Sequence, residues 1–529
     1  MRARWSVTGF LLSSIVILHP ALSQMPGTGN LPAPPANQET PAQNPYKLQL
    51  NVQNVVLDVV VTNRKGEVVT NLTKEDFQVY EDKVPQVIET LEPPPAHATP
   101  PNLAIHSTAD LDRLAPAAPV NLIVLDEINT SFQDEAFARY SLKQFLDKQG
   151  DTLQQPTLLG AVDMKHFTLL HDYTTSKKEI LDALDHHVAI YPWHMEGASW
   201  RAQQFNASFT ALLEIAKATA GHAGHKSLIW VGRGFAPFDP TTLEAEQATA
   251  LKQIVEACTN ALRDARVALY TLDPAGVSLE PPTEDNDGFM NDPFSGMMDF
   301  NIMAQATGGH AFYGRNDVDN LIAASTRDGA NFYTLTYKPK VLVTDQRAFR
   351  GIRVAMKNPD LTAETREGYY AHPPPPTLSA GPGDKKHVGR SEFDLGVAAQ
   401  SMLVYDAVHM TVKRIAQTPD QFRISLNSAD LVWQESGSKK LIAKVTVVAE
   451  TFDKKGTAID HTIKISTLQV GEGSTANTPD AATVSLFTSV PTKSPAARVR
   501  FLVRVETDQK LGSVNFVLDD KNPAGEVTN

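Results

Sequence analysis

Between residues 120 and 330, uninterrupted apolar runs alternate with amphipathic stretches. "NLIVLD" (Asn121–Asp126) holds an uninterrupted apolar run, Leu122–Leu125, as expected of a strand buried on both faces. Behind it Ala138, Leu142, Phe145 and Leu146 fall at i, i+4, i+7 and i+8, one stripe of a helix. "TLLGAVDM" and "HFTLLHDY" predict the next strands, and "SKKEILDALDHH" a helix. The helical "FTALLEIAKATA" leads into a buried strand, "KSLIWVG". "LKQIVEACTNALRDA" carries Ile254, Cys258, Ala261 and Leu262 on one helical face and precedes the strand "ARVALYTLD". Such alternation predicts an α/β fold with a doubly wound, mostly parallel sheet. Ligands of such sheets meet the C-terminal strand ends, where Asp126, Gly232 and Asp273 all fall.

On either side the period changes to two. Val55, Leu57, Val59 and Val61 line one face of a strand, "NRKG" turns it, and "FQVYED" is a further strand. Thr73 and Asp76 stand at capping-box spacing. "NFYTLTYKP", "AFRGIRVAMK" and "TREGYYA" are strand-like and rich in aromatic and β-branched residues. From residue 391, "QFRISLNS", "LIAKVTVVAETFD", "TAIDHTIKIS", "TVSLFTSV", "ARVRFLVRVET" and "GSVNFVL" are separated by turn signals, the pattern of a β-sandwich. Pro-rich stretches at Met25–Pro45, Glu92–Pro119 and His372–Arg390 read as a disordered stalk and two semi-extended spacers.

The N-terminus reads as an export signal: Arg2 and Arg4, the apolar "FLLSSIVIL", then small residues that place cleavage after Ser23. No later stretch stays apolar over the roughly 18 residues of a membrane span. The expected organisation is therefore a signal peptide (1–23), a stalk (24–45), a small β segment that leans on a neighbour (46–92), a linker (93–119), the α/β domain (120–330), a β extension (331–371), a second linker (372–390) and the β-sandwich (391–529). The expected location is the periplasm, the cell surface or the medium.

A chain of 529 residues with 35 prolines suits this multidomain reading. Its formal charge of -12 disfavours a sequence-independent nucleic-acid binder, which needs a basic face. Cys258 is the single cysteine, so no intrachain disulfide exists, and its place on an apolar face marks it as a buried small hydrophobe.

Taken in order, "LTKEDFQVYEDKVPQVIE", "VNLIVLDEINTSF", "HKSLIWVGRGF", "ARVALYTLDPAG", "AQATGGHAFYGRNDVDNLI" and "YTLTYKP…FRGIRVAMK…REGYYA" resemble the VWFA-related proteins of acidobacterial type, built on a von Willebrand factor A-like domain. The resemblance covers roughly residues 46 to 371 and does not reach the C-terminal sandwich. It implies an A-type fold and a binding rather than a catalytic role. In that family a metal site takes Asp-x-Ser-x-Ser after the first strand, a Thr from a second loop and an Asp at the end of the central strand. Mg²⁺ would there require hard oxygen ligands in near-octahedral geometry.

This chain departs from the pattern. Asp126 keeps the first position and Thr130 the second hydroxyl, but Ile128 replaces the first Ser. Asn129 offers an amide oxygen one place out of register, and Gly232-Arg233-Gly234 replaces the second acid. Loss of a carboxylate and gain of a cation oppose a divalent ion by Coulomb repulsion. The reading is a degenerate site without cofactor, in which Arg233 pairs with Asp126; Mg²⁺ or another divalent cation on Asp126, Asn129 and Thr130 is the alternative. Thr130 and Ser131, with Asp134 beyond, also read as a helix cap.

His186, His187 and His194 read as a solvated helix end rather than a zinc site. Tyr191, Trp193 and Trp200 form a candidate contact surface that, with Arg233, makes up the partner face. "TEDNDGF" fails as a calcium loop because Phe294 stands where a bidentate Glu belongs. H-E-x-x-H, G-x-S-x-G, C-x-x-C and P-loop motifs are absent, and "SGSK" reads as a loop. The expected function is an exported, non-catalytic interaction protein that binds an envelope protein or polysaccharide at the strand-end face. The alternatives are a hydrolase using Asp126, Asp163, His166 and Asp273, and a purely structural envelope protein.

Overall fold

The computed structural model describes residues 54–100, 103–163, 167–189, 198–235, 245–276, 300–340, 349–370, 395–436, 440–470, 482–492, 495–518 and 525–529. The expected signal, stalk and second linker, Tyr191, Trp193, His194, His166 and the "TEDNDGF" loop lie outside these residues, as does the side chain of Trp200. Among the described residues no helix is long and apolar enough to cross a membrane.

The chain begins with β1 (Val55–Asn63), β2 (Phe77–Glu81), β3 (Val84–Pro85) and β4 (Ile88–Glu92). The α/β region follows: α1 (Thr108–Leu114), β5 (Val120–Asp126), α2 (Phe132–Asp147), β6 (Thr152–Val162), β7 (Phe167–Ser176) and α3 (Lys177–His186). It continues with α4 (Ala198–Ala218), β8 (Lys226–Val231), α5 (Ala245–Asp264), β9 (Val267–Leu272), α6 (Phe300–Thr307), β10 (Ala311–Phe312) and α7 (Val318–Ala330).

These strands form a 6-stranded mixed sheet in the order β10-β9-β8-β5-β6-β7, parallel throughout except where β7 pairs with β6. Alternate residues of β5 feed two cores. Val120, Leu122 and Val124 pack with Leu212, Ile215, Cys258, Leu262 and Met303 from α4, α5 and α6. Ile123 and Leu125 pack with Ala138, Leu142, Ile180 and Ile322 from α2, α3 and α7. Burial on both faces is why no polar residue interrupts Leu122–Leu125. The strand order reverses at β5, whose neighbours are β6 and β8, so the crevice beyond its C-terminal end opens at Asp126.

Strands β11 (Tyr333–Tyr337), β12 (Phe349–Met356), β13 (Leu361–Glu364) and β14 (Gly368–Tyr370) then return to the beginning of the chain. Sheets β13-β1-β11-β4 and β14-β12-β2-β3 enclose one core of Leu57, Val59, Val61, Phe77, Val79, Tyr333, Leu335 and Tyr337. The β segment and the β extension, expected as separate pieces, are therefore a single unit. Each has only one apolar face per strand and needs the other to cover it; the pairing of Val55 with Tyr337 leaves no local trace in sequence.

The stretch 93–119 is a second correction, since its described part is packed rather than a spacer. Ile105 and Leu111 are fully buried, the backbone N–H of Thr175 donates to the Ile105 carbonyl at 3.0 Å, and Ser107 caps α1. Apolar residues set singly among prolines do not register as a periodic pattern, yet they suffice to anchor a segment laid along β7.

At the seam between the β unit and the α/β region, Asp58 of β1 accepts hydrogen bonds from Arg266 Nη2 at 2.6 Å and Nε at 3.2 Å, and His225 Nδ1 lies 2.9 Å away. The C-terminal region comprises β15 (Met410–Arg414), β16 (Gln421–Asn427), β17 (Gln434–Ser436), β18 (Lys440–Phe452), β19 (Ala458–Val470), β20 (Thr483–Ser489), β21 (Arg498–Val505), β22 (Leu511–Val517) and β23 (Glu526–Thr528). Its sheets, β20-β16-β15-β23 and β17-β18-β21-β22 with β19 added to β18, sandwich Phe422, Ile424, Val447, Phe501 and Phe516. A short helical segment before it places Leu395, Ala398 and Leu403 in the α/β core together with Val448 and Leu502. Buried Arg500 ties that segment down, donating from Nη2 to the Leu403 carbonyl at 2.6 Å.

Candidate functional site

Asp126 ends β5 with its side chain on the face that carries Trp230, and it is fully buried. The backbone N–H groups of Ile128 and Asn129 donate to its Oδ1 at 3.1 and 3.0 Å. Asn129 Nδ2 reaches both oxygens, at 3.1 and 3.0 Å. The Oδ2 atom also accepts from Trp230 Nε1 at 3.0 Å and from the Gly234 backbone N–H at 2.9 Å. A carboxylate offers about four lone-pair directions. All are spent on N–H donors, whose positive ends stand where a cation would have to approach.

The glycines flanking Arg233 make this possible. A Cβ on Gly232 would lie 2.2 Å from Asp126 Cβ, so only glycine lets the loop approach so closely. Gly234 has φ +63, a left-handed conformation that L side chains rarely adopt, and a Cβ there would meet the Phe300 ring at 2.2 Å. Burial raises the Asp126 carboxyl above its ordinary value, while the hydrogen bonds from Asn129, Trp230 and Gly234 oppose that rise. Because every partner is a donor, the ionised carboxylate is the form that satisfies them.

Arg233 does not pair with Asp126, contrary to expectation. Its side chain is half exposed and its Nε lies 3.4 Å from Asp273 Oδ1, which also accepts the Ala275 N–H at 2.9 Å. The reason is local: Gly234 turns its amide inward, and the arginine between the two glycines is carried outward to the end of β9. Ser131 caps α2 as expected, accepting from Asp134 N. Thr130 Oγ1 and Asn129 Oδ1 are buried without a hydrogen-bond partner.

Asp126, Asn129 and Thr130 thus come together, but they do not fit a divalent ion. Their one carboxylate is saturated, Ile128 is buried in the apolar core, and the nearby loop contributes an amide and a guanidinium instead of an acid. Among the described residues no three of His, Cys, Asp and Glu converge into a metal shell.

No protein-family model matches the chain, and no curated protein matches it. Among solved structures 37 chains match. One is the VWA domain of SpRpn10, 13% identical, which covers 30% of this chain and 89% of that one at a TM-score of 0.16. The likeness is one of fold alone.

On the opposite face of the six-stranded sheet lies a polar cluster that the sequence did not announce. Glu127 is buried, and His187 Nε2 lies 2.5 Å from its Oε1. His187 is therefore not part of a solvated helix end; the C-cap of α3 turns its ring inward, whereas His186 is exposed. Glu135, fully buried on α2, has both carboxyl oxygens without a hydrogen-bond partner, and Arg139 Nη1 stands 4.0 Å away. Burial first, then the Glu127 charge, push Glu135 up to about 7, against the pull of Arg139. One signal was available: Glu135 precedes Ala138 and Leu142 by helical spacing, so it interrupts the apolar stripe of α2.

Of the hydrolase suspects, His166 lies outside the described residues. Asp126 is sealed from water and Asp273 is engaged by Arg233, while a general acid–base pair must reach a substrate proton.

Proposed function

We propose that this chain is an exported, non-catalytic interaction protein of the VWFA-related, acidobacterial type. Its A-like domain meets an envelope protein or polysaccharide at the C-terminal ends of β5, β8 and β9, and does so without a bridging metal ion. The observation that supports this most directly is the closure of Asp126 by the Asn129, Trp230 and Gly234 donors. A metal-dependent face would need that carboxylate open. The chemistry left facing outward is the half-exposed Arg233 with its Asp273 partner, a charged rim able to orient an acidic or hydroxyl-rich ligand.

The test combines calorimetry with retention of envelope components on the immobilised chain. Mg²⁺, Mn²⁺ and Ca²⁺ are expected to give no binding heat, EDTA to leave retention unchanged, and Arg233→Glu to abolish it. Divalent binding that vanishes in Asp126→Ala, or retention indifferent to Arg233→Glu, overturns the proposal.

A further inference from the structure

Among the described residues the sandwich has several edge strands, and β19 is the longest of them. β19 pairs only with β18, and nearly its whole length is exposed. From His461 onward its odd-numbered residues share a face with Val448 of β18, which is covered by the α/β core, but farther out the same face is bare; at Ile459 the pairing shifts by one residue. There Ile463 and Ile465 are 50% and 72% exposed, and Ile459, at the register shift, is 44% exposed. The even-numbered face is polar, with Asp460, Thr462, Lys464 and Ser466 ahead of the buried Leu468. An extended edge carrying an apolar stripe is a template for another strand unless a device blocks it. The obvious device is Lys464, whose Nζ now donates to the Phe487 carbonyl at 3.2 Å.

The sequence of this edge is complementary to itself. In "IDHTIKI" (Ile459–Ile465), an antiparallel pairing centred on Thr462 sets Asp460 opposite Lys464 of a second copy. The same register sets Ile459 opposite Ile465 and His461 opposite Ile463. Ile465 meets Ile459, Ile463 meets the His461 ring, and Asp460 meets Lys464, so the charge that would blunt the edge against a foreign strand becomes a partner against its own. A two-fold contact must be self-complementary in this way. We infer that β19 is a homodimerisation strand, joining the five-stranded sheets of two copies edge to edge. Asp460 is already engaged locally: its carboxylate accepts the His461 N–H and its carbonyl accepts from Thr451 Oγ1. Both contacts leave the strand extended. Dimerisation through the sandwich also leaves the strand-end face of the α/β domain free in each copy.

Sedimentation equilibrium of the full chain tests this, with the expected result a reversible monomer–dimer equilibrium. Ile465→Lys is expected to raise the dimer dissociation constant roughly a hundredfold, since a two-fold contact loses the side chain twice. Asp460→Lys, which opposes two lysines, raises it roughly tenfold or more. The double swap Asp460→Lys with Lys464→Asp restores association, a rescue that mere damage to the fold cannot produce. Thr462→Cys supplies a readout independent of affinity. Cys258 is buried, and directly opposed strand positions bring Cβ atoms to about 4.5–5.5 Å, so mild oxidation links two copies covalently. Lys65→Cys, in an exposed turn, controls for random collision. A chain that stays monomeric at every concentration, a dimer insensitive to Asp460→Lys, or Thr462→Cys cross-linking no better than the control overturns the inference.

Discussion

Asp58 and Asp126 are both aspartates withdrawn from solvent, Asp58 largely so at the seam between the β unit and the α/β region, Asp126 completely at the C-terminal end of β5. Burial raises the carboxyl of each, and there the likeness ends. At Asp58 the Arg266 charge, then the hydrogen bond and charge of His225, outweigh burial and hold the group well below the usual carboxylate range. At Asp126 only neutral N–H dipoles answer, and the net direction is upward. Hydrogen bonds to a charged partner are about twice as strong as those between neutral groups. A cation makes a buried acid a strong structural tie, whereas dipoles make it a satisfied but neutral-facing corner. The first design fastens two regions together; the second holds the glycine-flanked loop against the end of β5.

The largest expected effect follows from removing the tie. Asp58→Ala leaves Arg266 and His225 without their anion, and urea unfolding should show a loss of about 3–5 kcal/mol. Asp126→Ala strands the Trp230 and Gly234 donors, for a loss of about 2–4 kcal/mol in the same measurement. If Asp126→Ala proves as costly as Asp58→Ala, the contrast between cation and dipole is wrong. Trp230→Phe keeps most of the ring and removes a single donor, so about 1–2 kcal/mol is expected.

The pH dependence separates the two sites by sign. Asp58 has a folded pKa below its unfolded value, so its contribution is full above the unfolded pKa and is lost as pH falls. The stability gap between the natural chain and Asp58→Asn should therefore narrow from about pH 6 to about pH 3. Asp126 has a raised folded pKa, so its burden appears as pH rises through the carboxylate range and disappears in acid. The corresponding gap for Asp126→Asn should not narrow as pH falls, which the same unfolding series checks. The smallest effect belongs to Arg233→Ala. Its ion pair is half exposed, and stability should change by less than about 0.5 kcal/mol while partner retention falls.

Much of the molecule was legible in one dimension because its signals are local. The uninterrupted apolar run Leu122–Leu125, the stripe Ala138–Leu142–Phe145–Leu146 and the alternating Val55–Val61 each state a period, and each lies in the element its period predicts. Ser131 is a helix cap, and Cys258 is buried within its apolar face. The proximity of Asp126 to the glycine-flanked loop followed from sheet topology alone. What the pattern could not state was direction. Arg233 and Gly234 are adjacent in sequence, yet one points to Asp273 and the other donates to Asp126, a choice made by backbone dihedrals and by Phe300 packed behind them. Trp230 reads as core, and it is core, but its indole N–H finds the one acid within reach only when β8 lies beside β5.

Sequence by itself determined most of the strands and helices, which faces they bury, and that an aspartate stands at the end of the first strand of the sheet. Tertiary structure decided that the first and last β segments around the α/β region are one body, that 103–119 is packed, and that His187 turns inward to Glu127. It also decided that the Asp126 carboxylate is held by N–H dipoles rather than by Arg233. The reason is the range of the forces: periodicity is written over a few neighbouring residues, whereas the fate of a buried charge depends on groups that only the completed fold brings within 3 Å or so of it.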